Sequence, residues 1–176
     1  VLLNAPETVP HVAALASQGI SFENAFTVMP RTFPALVSLL TGRYPHHHGI
    51  RHMFPTKAAR AAVGETLASA LRAAGYRTGV ITDFAGDIFS RIDLGFEHVA
   101  APPFTLRSNA TLGGLKFHVH LMPYLVDIAH GRGFPALGAY ERLCDPDWLA
   151  HRALDSLARD DGRPTFLVVF FSSGHF

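Results

Sequence analysis

Cysteine is almost absent, with Cys144 the only one in 176 residues. A lone thiol excludes an intramolecular disulfide and a zinc cluster built from cysteines, and it leaves the cellular compartment open. Charge is also sparse. Asp, Glu, Lys and Arg make up 16% of the chain, below the roughly 25% usual in soluble domains, so much of the surface is expected to be buried in a larger whole. Fifteen basic and fourteen acidic residues balance to +1. No run of Lys or Arg is present to track a phosphate backbone, which argues against nucleic acid as a partner. No apolar run reaches the ~18 to 20 residues of a membrane span, and Val1-Leu2-Leu3-Asn4 lacks the charged start and long apolar core of a signal peptide. A targeting segment is expected outside this chain, and a membrane-associated or periplasmic parent protein stays open. Repeats and low-complexity tracts are missing too.

Hydrophobic residues, in contrast, reach 48%, enough for a packed core, and the length fits one domain. Pro10 to Ser17 is predicted as a short helix with a proline in its first turn and Gly19 after its end, and Ile20 to Phe26 as a strand. Pro34 to Thr41 carries Leu36, Leu39 and Leu40 at helical spacing, with Gly42 placed to stop it and Pro45 to prevent its continuation. Val63, Leu67, Ala70, Leu71 and Ala74 form an apolar stripe that predicts a helix closed by Gly75. Thr78 to Thr82 reads as a strand. Ala150, Ala153, Leu154 and Leu157 predict a helix opened by Asp145 and Pro146, and the unbroken apolar run 165–171 a strand buried on both faces. Helices alternating with such strands imply an α/β fold, a three-layer α/β/α sandwich around a mostly parallel sheet. Between Phe104 and Leu143 glycines interrupt the apolar patches. Residues 103–144 are read as an insertion, with a substrate lid or a membrane-facing surface as alternatives.

Chemistry concentrates in Pro30-Arg31-Thr32-Phe33-Pro34 and the helix behind it. Thr32 is expected just before that helix, whose first turn exposes backbone N–H groups at the positive end of the dipole. Such an end holds anionic oxygens, so a phosphate or sulfate ester could sit there while the Thr32 hydroxyl attacks. A neutral threonine is a poor nucleophile and is expected to need a metal to favour its alkoxide. The alternative is that Thr32 merely caps the helix. His46-His47-His48 invites a metal reading, but adjacent side chains rarely converge on one ion, and a structural turn is the expectation.

The segment 30–50 resembles the nucleophile motif of sulfatases in the alkaline phosphatase superfamily, Cys-x-Pro-Ser-Arg followed by Leu-Leu-Thr-Gly-Arg-Tyr-Pro and a His-Gly turn. Leu39 to Pro45 matches letter for letter, and counting back puts Thr32 on the nucleophile position. Thr8 to Leu15, Ser21 to Phe26, Gly75-Tyr76-Arg77-Thr78 and Leu94-Gly95-Phe96-Glu97 are similar to further family landmarks. The resemblance implies an alkaline phosphatase-like fold, present here in part, and a hydrolase of phosphoric or sulfuric esters working through a covalent threonine intermediate. It also implies a divalent metal (zinc, manganese, calcium or magnesium) with Thr32 among its ligands, and substrate contacts from Arg31, Phe33 and His175, the last similar to the histidine in the family's Ser-x-x-His strand end. The family's other metal ligands, and the rest of its catalytic domain, are expected outside this chain, which alone should be inert.

Two departures redirect the expected chemistry. Formylglycine sulfatases require cysteine or serine where Thr32 stands, and Thr-Phe-Pro instead resembles the nucleotide pyrophosphatase and phosphodiesterase branch; phospho-group transferases of the superfamily also use threonine. The family's Lys and His that hold the sulfate align with Asp83 and Ala85. Asp83 is read as a turn residue, with a role as cation ligand as the alternative. Phosphate esters are therefore expected over sulfates. A non-catalytic anion- or partner-binding module is the competing reading.

Overall fold

The computed structural model describes residues 9–102 and 146–171. Its centre is β1 (Arg77–Thr82), with all six residues buried. It runs between β2 (His98–Ala100) and β3 (Thr165–Phe170) in the order β2-β1-β3, both pairings parallel. Register sets Val80 beside Val99 and Val168, and Ile81 beside Ala100 and Val169.

A parallel sheet must be covered on both faces, and alternate side chains divide between them. Val80, with Phe166 and Val168 of β3, packs on one face against Phe33 and Val37 of α2 (Thr32–Thr41), Ala68 of α5 (Leu67–Ala73) and Ile88 and Phe89 of α6 (Ile88–Arg91). Ile81, with Leu167 and Val169, meets Leu149 and Ala153 of α7 (Pro146–Leu157) on the other. The expected three layers are therefore present. The helices α1 (Pro10–Ser17), α3 (Pro45–His48) and α4 (Lys57–Ala61) complete the described elements, with a 3-10 turn at Phe84–Gly86.

Arg77 explains how a charged residue begins the most buried strand. Its guanidinium donates to the carbonyls of Ser156 at 3.0 Å and Arg159 at 2.7 Å and to Thr165 Oγ1 at 2.8 Å. The last carbonyls of a helix have no intrahelical partner, so Arg77 caps α7 and ties it to the strand pair. A second tie joins α5 to the chain before β2. Thr66 Oγ1 accepts the Ser69 N–H at 3.1 Å and donates to the Leu94 carbonyl at 2.6 Å. Gly95 follows in the left-handed region at φ 82°, and a Cβ there would lie 2.7 Å from Ser69 Cβ. The closeness of the two backbones admits only glycine.

Four expectations need correction. Residues 20–26 are not a strand: they make no backbone bonds to the sheet, and Ile20, Phe22 and Phe26 are 80% exposed or more. Strand propensity without a pairing partner leaves irregular chain. The helix expected from Val63 starts at Leu67, because Thr66 caps it and Gly64 before it sits at φ 76°. Its face is also turned, with Ala68 buried and Leu67, Ala70 and Ala74 exposed. Finally, β3 is half-buried rather than buried, because among the described residues only one of its edges is paired. α4, α6 and β2 carry too short a periodic signal to be read from the sequence. The segment 103–144 lies outside the described residues, apart from which α1, β1 and α7 stand close to their expected bounds.

Candidate functional site

The start of α2 determines how Thr32 is presented. Arg31 is extended (φ −144°, ψ 131°) and is the N-cap, its carbonyl accepting the Ala35 N–H at 3.0 Å. Thr32 is thus the first helical residue and not, as expected, the residue before the helix. The N-cap is Arg31, which makes no side-chain capping bond, so the reading of Thr32 as the cap does not hold. The helix stops at Gly42 (φ 64°), whose N–H donates to Ser38 at 2.9 Å, and Pro45 opens the single turn of α3.

The anion-binding potential of this end is narrower than the sequence suggests. Pro34 has no N–H, and the Phe33 N–H is directed at Met53 Sδ, 3.5 Å away. Among the described residues only the Thr32 N–H of the first three lacks a protein acceptor. The helix dipole adds to it, and both favour an anionic group beside Thr32.

Thr32 is half-buried on the wall of a cleft of about 820 Å³, formed by the chain from Ala25 to Val28, the outer face of α2, Gly42 to Tyr44, and Phe170. Among the described residues three aliphatic hydroxyls line it. Thr27 donates to the Met29 carbonyl at 3.0 Å, and Ser38 is 2.9 Å from His48 Nε2. Thr32 is the one that makes no hydrogen bond among the described residues. Among the described residues Arg43 is the only charged side chain on the lining, and it adds positive charge there; its guanidinium also donates to the Val63 carbonyl.

Ser38 and His48 have the spacing of a nucleophile and its base, yet the tautomer is wrong for that role. His48 Nδ1 accepts the Ile50 N–H at 3.1 Å, so in the neutral ring Nε2 carries the proton and donates to Ser38. The ring has no lone pair left to take a proton from Ser38. Burial, and secondarily the Arg43 charge, hold the His48 pKa below its usual value, which keeps this arrangement neutral. His48 is 2% exposed, whereas His46 and His47 are exposed, with His46 stacked on Tyr44. The three histidines form a structural turn, as expected.

The other candidates are dispersed. Phe33, expected at the substrate, is fully buried in the core and does not line the cleft. The Arg91 guanidinium lies 4.9 Å from its centroid instead. Arg31 is exposed beside the helix start and does not line the cleft. His175 lies outside the described residues. Asp83 is 2% exposed and heads the 3-10 turn, its carbonyl accepting the Gly86 N–H at 3.1 Å; neither it nor Ala85 lines the cleft. Among the described residues no three His, Cys, Asp or Glu side chains group so as to hold a metal ion, and these residues do not by themselves fit a divalent-metal centre. Arg43 and Ser38 are cleft residues that the sequence does not single out; Arg43 falls within the Leu39 to Pro45 block, and Ser38 carries no such signal.

A family model described as Sulfatase matches residues 3–176. Over 116 residues the chain is 32% identical to an N-acetylgalactosamine-6-O-sulfatase of Bacteroides thetaiotaomicron, a stretch covering 56% of this chain and 22% of that protein. The chain thus spans only a fraction of that relative's length. No solved structure matches it.

Proposed function

Because this chain belongs to the sulfatase family, we propose that it carries the nucleophile of an ester hydrolase and that the nucleophile is Thr32. The observation that carries the reading is the Thr32 hydroxyl, unbonded among the described residues, on the cleft wall at the positive end of α2. Of the other two cleft hydroxyls, Thr27 is committed to the Met29 carbonyl, and the neutral His48 beside Ser38 has no lone pair to take its proton. Attack by Thr32 Oγ1 on phosphorus or sulfur forms the new ester bond and breaks the bond to the leaving oxygen, which departs as the alcohol carrying the proton that the hydroxyl gives up. Water then cleaves the Thr32 ester and restores the hydroxyl; a second alcohol in place of water would make the same step a transfer. The Thr32 N–H, the helix dipole and Arg43 favour the anionic ester throughout.

Family members generally use a divalent metal. Divalent-ion dependence is part of the proposal, with Thr32 as one ligand and the remaining ligands outside the described residues. Phosphate esters are the proposed substrates, because threonine cannot mature to formylglycine and because Asp83 and Ala85 stand where a sulfate-holding Lys and His are expected. Sulfate esters form the second reading, favoured by the similarity to an N-acetylgalactosamine-6-O-sulfatase.

Thr32→Ala in the intact protein tests the nucleophile. Turnover is expected to vanish with folding nearly unchanged, since the residue is only half-buried. Residual activity above about one hundredth of the original is more than loss of a covalent nucleophile should leave and would remove Thr32 from the role.

A further inference from the structure

We propose that Met53 and Arg91 are positioning residues for the Thr32 hydroxyl, acting through the peptide and ring of Phe33; the inference rests on Thr32 being the nucleophile. The first N–H groups of a helix have no intrahelical acceptor, and the N-cap Arg31 has a side chain that only donates. The Phe33 N–H meets Met53 Sδ at 3.5 Å instead. Sulfur is a weak acceptor, so this contact persists only if Met53 is itself held in place.

Arg91 holds it. Its Nη1 donates to the Met53 carbonyl at 3.1 Å, its Nε lies 3.5 Å from Asp87 Oδ2, and its guanidinium lies 4.9 Å from the Phe33 ring centroid and 5.5 Å from that of Phe54. The backbone of Arg91 is tied in turn, its carbonyl accepting from Arg60 Nη1 at 2.5 Å. Phe33 is therefore fixed by its N–H, by the core around its ring, and by the cation over its ring face. Two of those restraints lead back to Arg91.

Thr32 and Phe33 share one planar peptide unit. Anchoring the Phe33 N–H fixes the rotation of that plane, and with it ψ of Thr32 and the direction of its Cα–Cβ bond. The Thr32 hydroxyl makes no hydrogen bond of its own among the described residues, so the backbone aims it. A misplacement of ~1 Å at a reacting atom can lower a rate by about 100-fold. Neither Met53 nor Arg91 lines the cleft. Their loss should thus reduce kcat and leave KM nearly unchanged.

Met53→Leu keeps the apolar bulk and removes the acceptor. In the intact protein, amide exchange at Phe33 is measured together with kinetics on 4-nitrophenyl phosphate and 4-nitrophenyl sulfate. Exchange at Phe33 should accelerate while Val37 and Leu40 do not change, and kcat on the better ester should fall about tenfold or more with KM within about twofold. Selenomethionine, which retains an acceptor at position 53, should preserve both. Arg91→Lys, which keeps the charge without the planar fork, should lower kcat in the same direction. Unchanged Phe33 exchange in Met53→Leu overturns the anchoring, and faster exchange with unchanged kcat overturns the positioning role. If Thr32→Ala stays active, the nucleophile reading fails and the positioning role with it, although Phe33 exchange would still respond to Met53→Leu; that pattern separates the two failures.

Discussion

Thr66→Ala should be among the more damaging single-atom-scale changes in this structure, and comparison with Thr56→Ala shows why. Both threonines cap helices. Thr56 accepts the Ala59 N–H at 3.2 Å at the exposed start of α4, and Thr66 accepts the Ser69 N–H at 3.1 Å at the start of α5. Losing a cap of this kind costs about 1 kcal/mol. Thr66 is 3% exposed and has a second role, donating to the Leu94 carbonyl at 2.6 Å. Alanine leaves that buried carbonyl without its donor, which adds about 1–3 kcal/mol. Thr66→Ala is thus expected to destabilise by about 2–4 kcal/mol and Thr56→Ala by about 1 kcal/mol or less. Thr66→Ser, which keeps the hydroxyl, should lie close to the parent. Urea unfolding of the intact protein, with the transition midpoint and slope compared across the three variants, provides the measurement. If Thr66→Ala and Thr56→Ala fall within about 0.5 kcal/mol of each other, the Leu94 bond contributes nothing beyond the cap and the reasoning fails.

Gly95→Ala combines a left-handed φ of 82° with a Cβ 2.7 Å from Ser69, whereas Gly75→Ala, at φ 89°, meets open space. The second should cost only the backbone term of about 1–2 kcal/mol and the first clearly more, as the same unfolding assay would report. The His48 pKa is lowered in the fold from its usual 6.5, so the unfolded chain binds the proton first. Stability should be unaffected well above pH 6.5 and should decline as pH falls below it, and His48→Gln should flatten that part of a stability–pH curve; an identical slope in the variant would exclude His48 as its source. On esters with the same leaving group, 4-nitrophenyl phosphate is expected to be turned over faster than 4-nitrophenyl sulfate, and a clear sulfate preference would favour the second substrate reading. A chelator should abolish either activity and an added divalent ion restore it; full activity after exhaustive chelation would count against metal dependence.

Signals that act over a few residues were legible in the sequence. Pro10, the Gly42 stop and Pro146 bound α1, α2 and α7 near their expected ends, because caps, φ restrictions and helical spacing are local. The unbroken apolar run at 165–171 announced a strand of a covered parallel sheet, and 78–82 was legible as a strand beside it. The motif around Thr32 pointed to the family for the same reason: it is one contiguous stretch. What the tertiary structure decided depends on residues far apart in the chain. Strand propensity at 20–26 produced no strand because none of the described strands pairs with it. The start of α5 packs directly on Leu94 and Gly95, 28 residues along the chain from Thr66. Phe33 left the cleft because Arg91, brought beside it by α6, and the apolar core accommodate its ring better than water does. That Ser38 is engaged was likewise decided by folding, for a serine ten residues before a histidine shows no bond to it until α3 folds back on α2, whereas Thr27 bonds to Met29 only two residues on. Pairing, burial and hydrogen-bond satisfaction are properties of the closed chain, and the order of residues supplies only the groups that compete for them.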